Sequence, residues 1–171
     1  LIFRHDRNFG KGGGVLLMVH KSLNPIISPS PDHPDIEGIW SDLHLYNILI
    51  RIGVVYRPPR FDPVYLQTLI NVTNLAISVP HPTLILGDFN FPHIDWVNNV
   101  TTCSLENTFL HFCTANALTQ CVESPTRSKH ILDLILTNDP TLICGVDTTL
   151  NPVSSDHLAV SFHLCFPLPN K

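Results

Sequence analysis

The sequence is short of positive charge, and this shortage disfavours one class of nucleic-acid binding. Its 171 residues contain 10 Lys and Arg against 14 Asp and Glu, so the net charge is -4 with the ten histidines neutral. A protein that wraps DNA passively needs many cationic side chains, because its affinity comes from releasing the counterions around the phosphates. The low positive charge does not disfavour a metal-dependent enzyme that acts on phosphate, because a cation held by carboxylates supplies the positive field itself.

Long apolar runs are also missing. The two longest apolar stretches, residues 15–19 and 45–56, are too short or too interrupted by polar residues to span a bilayer, so no membrane helix is expected. The chain begins without an initiator Met or a secretory signal pattern, and we therefore expect an N-terminal truncation of a longer protein. With 44% apolar residues the chain can bury a core, and we expect residues 1–171 to form a single domain.

Paired cysteine motifs are absent. The five cysteines are odd in number, and no Cys-x-x-Cys pair occurs among them. This pattern disfavours both a disulfide framework and a thiolate zinc site. We therefore expect the protein to reside in a reducing compartment, nuclear or cytoplasmic.

Three other motifs for binding or catalysis are incomplete. The glycine-rich run at residues 10–14 lacks a Ser or Thr after Lys11, and a strand follows where a Walker loop needs a helix, so we interpret it as a hairpin turn. No Gly-x-Ser-x-Gly elbow supports a serine hydrolase. A zinc site made from His81, His93 and Asp95 has suitable ligand types, but the spacing matches no zinc pattern.

What the chain does contain is a series of short strands. Apolar runs predict strands at residues 15–19, 36–43, 45–56, 131–137, 141–150 and 158–166. Asp62 followed by Pro63 predicts the start of a helix, and an apolar stripe at helical spacing continues up to Pro80. A second helix is predicted from about Ser104 to Asn116. Because strands outnumber helices and few strands are separated by helices, we expect an α+β fold with layered sheets.

One strand ends in two polar residues that share a face. The apolar run at residues 83–86 stops at Gly87 and is followed by Asp88, Phe89 and Asn90. Side chains alternate along an extended backbone, so Asp88 and Asn90 point one way while Phe89 points back toward the core. A strand end of this kind can hold catalytic groups rigidly and leave them open to substrate.

Four further positions are candidates for chemistry. Asp133 interrupts an apolar strand, where an unpaired carboxylate is costly, so we expect it to have a partner; the alternative is an exposed carboxylate on an edge strand. His157 precedes the last strand, and the neighbouring Asp156 can bind a metal or keep the imidazole charged. Tyr56 ends its strand just before Pro58, where its hydroxyl can donate to an anion, although Tyr packed within a strand is commoner.

Six short motifs follow one another along the chain: Gly-Gly-Gly-Val at 12–15, Gly-Val-Val-Tyr-Arg-Pro-Pro at 53–59, Leu-Gly-Asp-Phe-Asn at 86–90, Pro-Thr-Arg at 125–127, Ile-Leu-Asp-Leu-Ile-Leu-Thr-Asn at 131–138 and Ser-Ser-Asp-His at 154–157. In this order they resemble the endonuclease/exonuclease/phosphatase superfamily, and more closely the apurinic/apyrimidinic-type endonuclease domain of non-LTR (LINE-like) retrotransposons. The resemblance implies a four-layer α/β/β/α sandwich of two mixed, mostly antiparallel sheets. It also implies a phosphodiesterase that uses Mg²⁺ or Mn²⁺, nicks DNA and is normally fused to a reverse transcriptase.

The resemblance further implies a role for each matching residue. Asp88 would orient or deprotonate the attacking water, and Asn90 would hold that water or a phosphate oxygen. Tyr56 would contact the phosphate. Asp133 would bond His157 and keep its imidazole oriented and protonated. The remaining candidates are Asp156 as a metal ligand, Thr126 and Ser155 close to the phosphate, and Arg57 and Arg127 beside the DNA backbone.

The resemblance is incomplete at one point. Family members carry an Asn and a metal-binding Glu on strands upstream of the glycine-rich turn, whereas the first glutamate here, Glu37, follows that turn. We therefore expect the domain to lack its first strands and this chain to be impaired in activity. Two alternatives stay open, a phosphomonoesterase of the same superfamily and a non-catalytic relic of a retroelement.

Overall fold

The computed structural model describes residues 1–7, 12–27, 33–45, 48–60, 62–151 and 154–165. Within these residues the strands are β1 (Ile2–His5), β2 (Val15–Met18), β3 (Ile26–Ile27), β4 (Glu37–Leu45), β5 (Ile48–Tyr56), β6 (Thr83–Asp88), β7 (Thr119–Gln120), β8 (Asp133–Thr137), β9 (Ile143–Leu150) and β10 (Ala159–Leu164). The α-helices are α1 (Pro63–Ile77) and α2 (Ser104–Ala115), and two short 3-10 helices cover Lys21–Leu23 and Pro140–Leu142. Residues 10 and 11 of the predicted turn, and the predicted end of the last strand at residue 166, lie outside the described residues.

Both predicted helices form, and each begins at its predicted start. The Asp62 carboxylate accepts a hydrogen bond from the Tyr65 backbone N–H at 2.9 Å, which makes Asp62 the N-cap of α1. The residues of α2 that pack into the core are buried, and they include Leu105, Phe109, Phe112 and Cys113. Among the described residues, no helix is long and apolar enough to cross a membrane.

A six-stranded mixed sheet forms the centre of the fold, in the order β3-β4-β5-β6-β8-β7. Neighbouring strands are antiparallel except for β5 and β6, which are parallel and connected through α1. A parallel pair needs such a crossover because both strands run in the same direction. Two antiparallel hairpins, β1–β2 and β9–β10, form separate two-stranded sheets.

The central sheet separates two hydrophobic clusters. One cluster packs α1 and α2 on the sheet through residues such as Leu66 and Phe109. The other joins Ile50 and Ile135 of the sheet to the two hairpins, with Phe162 from β10. The predicted α+β sandwich with mixed, mostly antiparallel sheets is therefore confirmed. Helices, central sheet and hairpins are three of the four predicted layers, and the described residues form no outer layer beyond the hairpins.

A disulfide joins Cys144 to Cys165, which corrects the expectation that the cysteines stay unpaired. The antiparallel register of β9 and β10 sets His163 opposite Cys144, so Cys165 follows within reach and the two Cα atoms lie 6.4 Å apart. This pairing depends on strand register, which a search for Cys-x-x-Cys motifs does not detect. The free cysteines are Cys103, Cys113 and Cys121.

An ion pair between Asp42 on β4 and Arg51 on β5 lies level with the start of β6 and next to the end of α1. The Arg51 Nε and Nη2 groups donate to the two Asp42 oxygens at 2.7 and 2.8 Å, and Nη1 donates to the Ala76 carbonyl at 2.8 Å. The Arg51 guanidinium holds the pKa of Asp42 below its ordinary value, with a smaller contribution from His81 at 3.5 Å.

We expect Asp42→Asn to lower the free energy of unfolding by about 1–3 kcal/mol at pH 7. Because the folded-state pKa of Asp42 is depressed, its contribution is present above the unfolded pKa of about 3.9 and disappears as the pH falls through the folded value. Urea unfolding of both proteins over this pH range measures the difference. The exposed Asp35→Asn variant is the control, and a deficit in Asp42→Asn that does not shrink at low pH would contradict an electrostatic origin.

Candidate active site

Strands β5 and β6 end, and β8 begins, at the same end of the central sheet. This arrangement brings Tyr56, Asp88 and Asp133 into one row. Tyr56 is the Cα partner of Asp88 across the parallel pair β5–β6, and Asp88 is the Cα partner of Asp133 across the antiparallel pair β6–β8. All three residues are half-buried. The register of the central sheet thus places three predicted catalytic residues, from distant parts of the chain, at one end of its strands.

Asp133 has the partner that its position demands. The Nδ1 atom of His157 lies 2.8 Å from Asp133 Oδ2, and each of the two side chains is 24% exposed. The Ser155 hydroxyl, on the exposed loop before β10, accepts a hydrogen bond from the His157 backbone N–H at 3.1 Å. The alternative of an exposed, unpaired carboxylate is wrong, because Asp133 is half-buried and bonded to His157.

Hydrogen bonds fix both Asp88 and Asn90 at the turn after β6. Asp88 Oδ1 accepts from the Asn90 backbone N–H at 3.0 Å, and Asn90 Nδ2 donates to the Arg57 carbonyl at 2.8 Å. Asn90 has a left-handed φ of 49°, which Asn tolerates better than most residues. Burial, and then the charge of Asp133, raise the pKa of Asp88 above its ordinary value. The Asp88 carboxylate is therefore a better proton acceptor than an exposed Asp.

Thr126 ties the start of β8 to the loop that carries His157. Its hydroxyl oxygen accepts hydrogen bonds from the backbone N–H groups of Leu132 and Asp133 at 3.0 and 3.1 Å, and its carbonyl accepts from Leu158 N–H at 2.8 Å. Thr126 is fully buried. The family resemblance implied a position close to the phosphate, whereas in the structure both oxygens of Thr126 accept backbone hydrogen bonds that position the Asp133–His157 pair.

Arg57 also differs from its predicted role, because its side chain is buried under the turn after β6. The guanidinium donates to the carbonyls of Phe89, Asn90 and Arg60 at 3.2, 3.0 and 2.7 Å. It also lies 4.3 Å from the centroid of the Phe91 ring. Arg57 therefore holds the turn that carries Asn90 and has no surface left for a DNA phosphate.

The predicted metal ligand Asp156 lies outside the group of ligand atoms that the structure assembles. Its side chain is 67% exposed and forms an ion pair with Arg127, which lowers the pKa of Asp156. The assembled group consists of Asp88, Asp133 and His157, whose ligand atoms lie within 4.8 Å of one another. In this arrangement Arg127 is the partner of Asp156.

The assembled group fits a divalent cation. Asp88 and Asp133 are directly opposed carboxylates, and the raised pKa of Asp88 reflects in part the charge of Asp133. A cation between them would relieve that repulsion. Carboxylate oxygens are the ligands that Mg²⁺ and Mn²⁺ prefer, so these residues suit the predicted ions.

His81, His93 and Asp95 do not come together as a zinc site. His81 Nε2 lies 3.5 Å from Asp42, at the opposite end of β6 from Asp88. The Asp95 carboxylate accepts a hydrogen bond from the Asn98 side chain at 2.7 Å within a local turn. The three side chains have suitable ligand types, but the fold places them apart.

The fold is that of hydrolases of the nuclease and phosphatase type. Residues 50–161 match the endonuclease–reverse transcriptase family, and the chain belongs to this family. Because the match covers more than half of the chain and most of the motifs, it confirms the resemblance that the sequence indicated. No curated protein sequence matches the chain significantly.

Solved structures with low sequence identity share the fold. The endonuclease domain of TRAS1, a telomere-specific non-LTR retrotransposon, is 17% identical with a TM-score of 0.76, and the match covers 96% of this chain and 80% of that one. An endonuclease/exonuclease/phosphatase family protein from Bacteroides thetaiotaomicron is 15% identical with a TM-score of 0.57, over 98% and 73% of the two chains. The 3' phosphatase NExo from Neisseria, solved with a product DNA hairpin, is 16% identical with a TM-score of 0.56, over 84% and 71%.

Proposed function

We propose that residues 1–171 belong to a single endonuclease domain of a retrotransposon protein and that this domain nicks DNA with the help of a divalent cation. The observation that carries the proposal is the row of Tyr56, Asp88 and Asp133, with His157 bonded to Asp133. The similarity to the TRAS1 endonuclease domain supports DNA as the substrate. The description of the family supports a reverse transcriptase as a further part of the same protein.

Phosphodiester hydrolysis requires an attacking water, stabilised phosphate charge and help for the leaving oxygen. The residues of the row, with the neighbouring Asn90 and His157, would meet these needs. Asp88, held at the end of β6, would orient the water and take its proton. Asn90 would hold that water or a phosphate oxygen. His157, held by Asp133, would face the developing charge, and Tyr56 would donate its hydroxyl hydrogen to a phosphate oxygen.

Asp88 and Asp133 are the residues of the row that would hold a divalent cation, Mg²⁺ in the first place. A bound divalent cation supplies positive charge that polarises the phosphate. Asp156 would become a further ligand by breaking its ion pair with Arg127 and binding the cation instead. The exposure of both side chains permits this change. Arg127 would then be released toward a backbone phosphate, close to the exposed Ser155.

Supercoiled plasmid DNA distinguishes this function from its alternatives. The family resemblance places a glutamate ligand upstream of the glycine-rich turn, so we expect Mg²⁺-dependent nicking by a chain extended upstream with a segment that carries this glutamate, and little nicking by residues 1–171 alone. Gel electrophoresis of the open-circle product measures both rates.

The other outcomes of this assay have distinct meanings. Turnover of a phosphomonoester without nicking would identify a phosphomonoesterase. An extended chain that turns over neither substrate, and whose unfolding temperature does not change with Mg²⁺, would be a non-catalytic relic. Robust nicking by residues 1–171 alone would contradict the expected impairment.

A further inference from the structure

We propose that His93, Cys103 and Glu106 form a zinc site that shares no residue with the candidate active site. His93 lies in the loop after β6, Cys103 is the N-cap of α2, and Glu106 is in the first turn of that helix. One ligand atom from each residue lies within 4.8 Å of the other two. Imidazole, thiolate and carboxylate are the ligand types that Zn²⁺ takes in proteins.

Glu106 is a buried carboxylate whose two oxygens face different groups. Oε2 accepts hydrogen bonds from the His93 backbone N–H at 3.0 Å and from the Thr101 hydroxyl at 3.3 Å. Oε1 lies 2.9 Å from His93 Nδ1. Glu106 is 4% exposed, and no Lys or Arg of the described residues forms an ion pair with it. Hydrogen bonds that hold one oxygen and direct the other into a ligand group are the usual surroundings of a metal-binding carboxylate.

The Cys103 thiol takes no part in capping the helix at whose start it lies. Its side chain makes no capping hydrogen bond, and its backbone N–H donates to the Thr101 hydroxyl oxygen at 3.1 Å. Cys103 and Glu106 are three positions apart, a spacing that places side chains on the same side of a helix start. The Cys103 thiol is thereby available to the ion that His93 and Glu106 would hold.

The three side chains line a cavity of about 490 Å³ that also reaches Asn90 and Arg127. The cavity gives an ion access from solvent and leaves room for a water molecule as the fourth ligand, which is the coordination of open zinc sites. Zinc bonds are about 2.0–2.3 Å long, so binding would draw the donor atoms closer together, and the exposed His93 can rotate to allow this. The thiolate favours Zn²⁺ over Mg²⁺.

A zinc ion in this position would fasten the loop after β6 to the start of α2. That loop begins at Asn90 and forms one wall of the cavity beside the active site. The ion would therefore act as a structural clamp for the wall and not as the cation of the proposed hydrolysis. Its presence or absence can be measured without any nuclease assay.

Cobalt substitution tests the site directly. We expect metal-free protein of residues 1–171, with the Cys144–Cys165 disulfide intact, to bind one equivalent of Co²⁺ with a thiolate-to-cobalt charge-transfer absorption, and Zn²⁺ to displace the Co²⁺. The group of Asp88, Asp133 and His157 contains no thiol and cannot produce this absorption. Cys103→Ser should abolish the absorption.

Two variants with defined effects complete the test. Cys121→Ser removes another partly exposed free thiol and should leave the absorption unchanged. Thr101→Val removes the hydroxyl that holds Glu106 Oε2 and should weaken Zn²⁺ binding about 10-fold or more without removing a ligand. The assignment would be overturned by absorption that survives Cys103→Ser, by absorption lost in Cys121→Ser, or by unmodified protein that shows none.

Discussion

Replacing Asp88 by Asn is expected to reduce Mg²⁺-dependent nicking about 10²- to 10⁴-fold, the range for the loss of a general base. Asn keeps the size of the side chain and an oxygen that can accept the Asn90 N–H now bound at 3.0 Å. It cannot take a proton from water, and it carries no charge to hold a cation. Initial rates of open-circle formation by the upstream-extended chain, with and without the substitution, measure the loss.

The same substitution should stabilise the metal-free protein at neutral pH. Burial and Asp133 raise the pKa of Asp88, so the ionised carboxylate disfavours the folded state. With a raised folded-state pKa, the stability that Asp88 contributes is fully present below the ordinary pKa of about 3.9 and is lost as the pH rises through the folded value. Asp88→Asn should therefore unfold at a higher temperature than the parent in EDTA at pH 7.

Asp95→Asn is the matched control, because Asp95 is exposed in a local turn with Asn98. This control should nick at the parental rate. If Asp88→Asn lost activity and also unfolded at a lower temperature, the loss would lie in the fold and not in the chemistry. Parental nicking by Asp88→Asn would refute the assignment of the active site.

Gly87→Ala is expected to remove more than about 4 kcal/mol of unfolding free energy, a loss seen only for severe structural conflicts. Gly87 has a φ of +145°, and a Cβ atom built there would lie 1.7 Å from the Val55 carbonyl oxygen on β5. The conflict is with the backbone of the neighbouring strand, so no side-chain rotation relieves it and β5 and β6 would have to separate. Urea unfolding followed by near-ultraviolet circular dichroism measures the loss.

Gly38→Ala provides the comparison for this substitution. At Gly38, on β4, the nearest atom to an added Cβ is the Val54 carbonyl oxygen at 3.7 Å, an ordinary contact. The free energy of unfolding should change by less than about 1 kcal/mol. If Gly87→Ala were as stable as Gly38→Ala, then β5 and β6 would not be paired in the register described.

Helix starts can be predicted from this sequence because their signals are local, whereas strand ends depend on distant partners. Asp62 and Pro63 mark the start of α1 in the sequence, and α1 begins there. β8 begins at Asp133, two positions after the predicted start at Ile131. At this strand start the Thr126 hydroxyl oxygen accepts the N–H groups of Leu132 and Asp133. No local pattern in the sequence indicates that contact.

The site residues divide in the same way. Asp88 and His157 can be selected from the sequence because polar groups at strand ends and known motif positions identify them. The positioning roles of Arg57 and Thr126 cannot, because both depend on burial by segments far along the chain. The ion pair of Asp156 with a residue almost thirty positions earlier is likewise a product of tertiary structure.

The row of Tyr56, Asp88 and Asp133 requires two strand pairings, β5 with β6 and β6 with β8. Pairings between distant segments have a large entropic cost of loop closure and limit the rate at which such sheets form. In a folding intermediate with only the β4–β5 hairpin formed, Tyr56, Asp88 and Asp133 would not yet lie side by side. Such an intermediate would be catalytically inactive. In a refolding experiment, the recovery of enzymatic activity would therefore report when β8 docks, at a step that helix formation alone does not reveal.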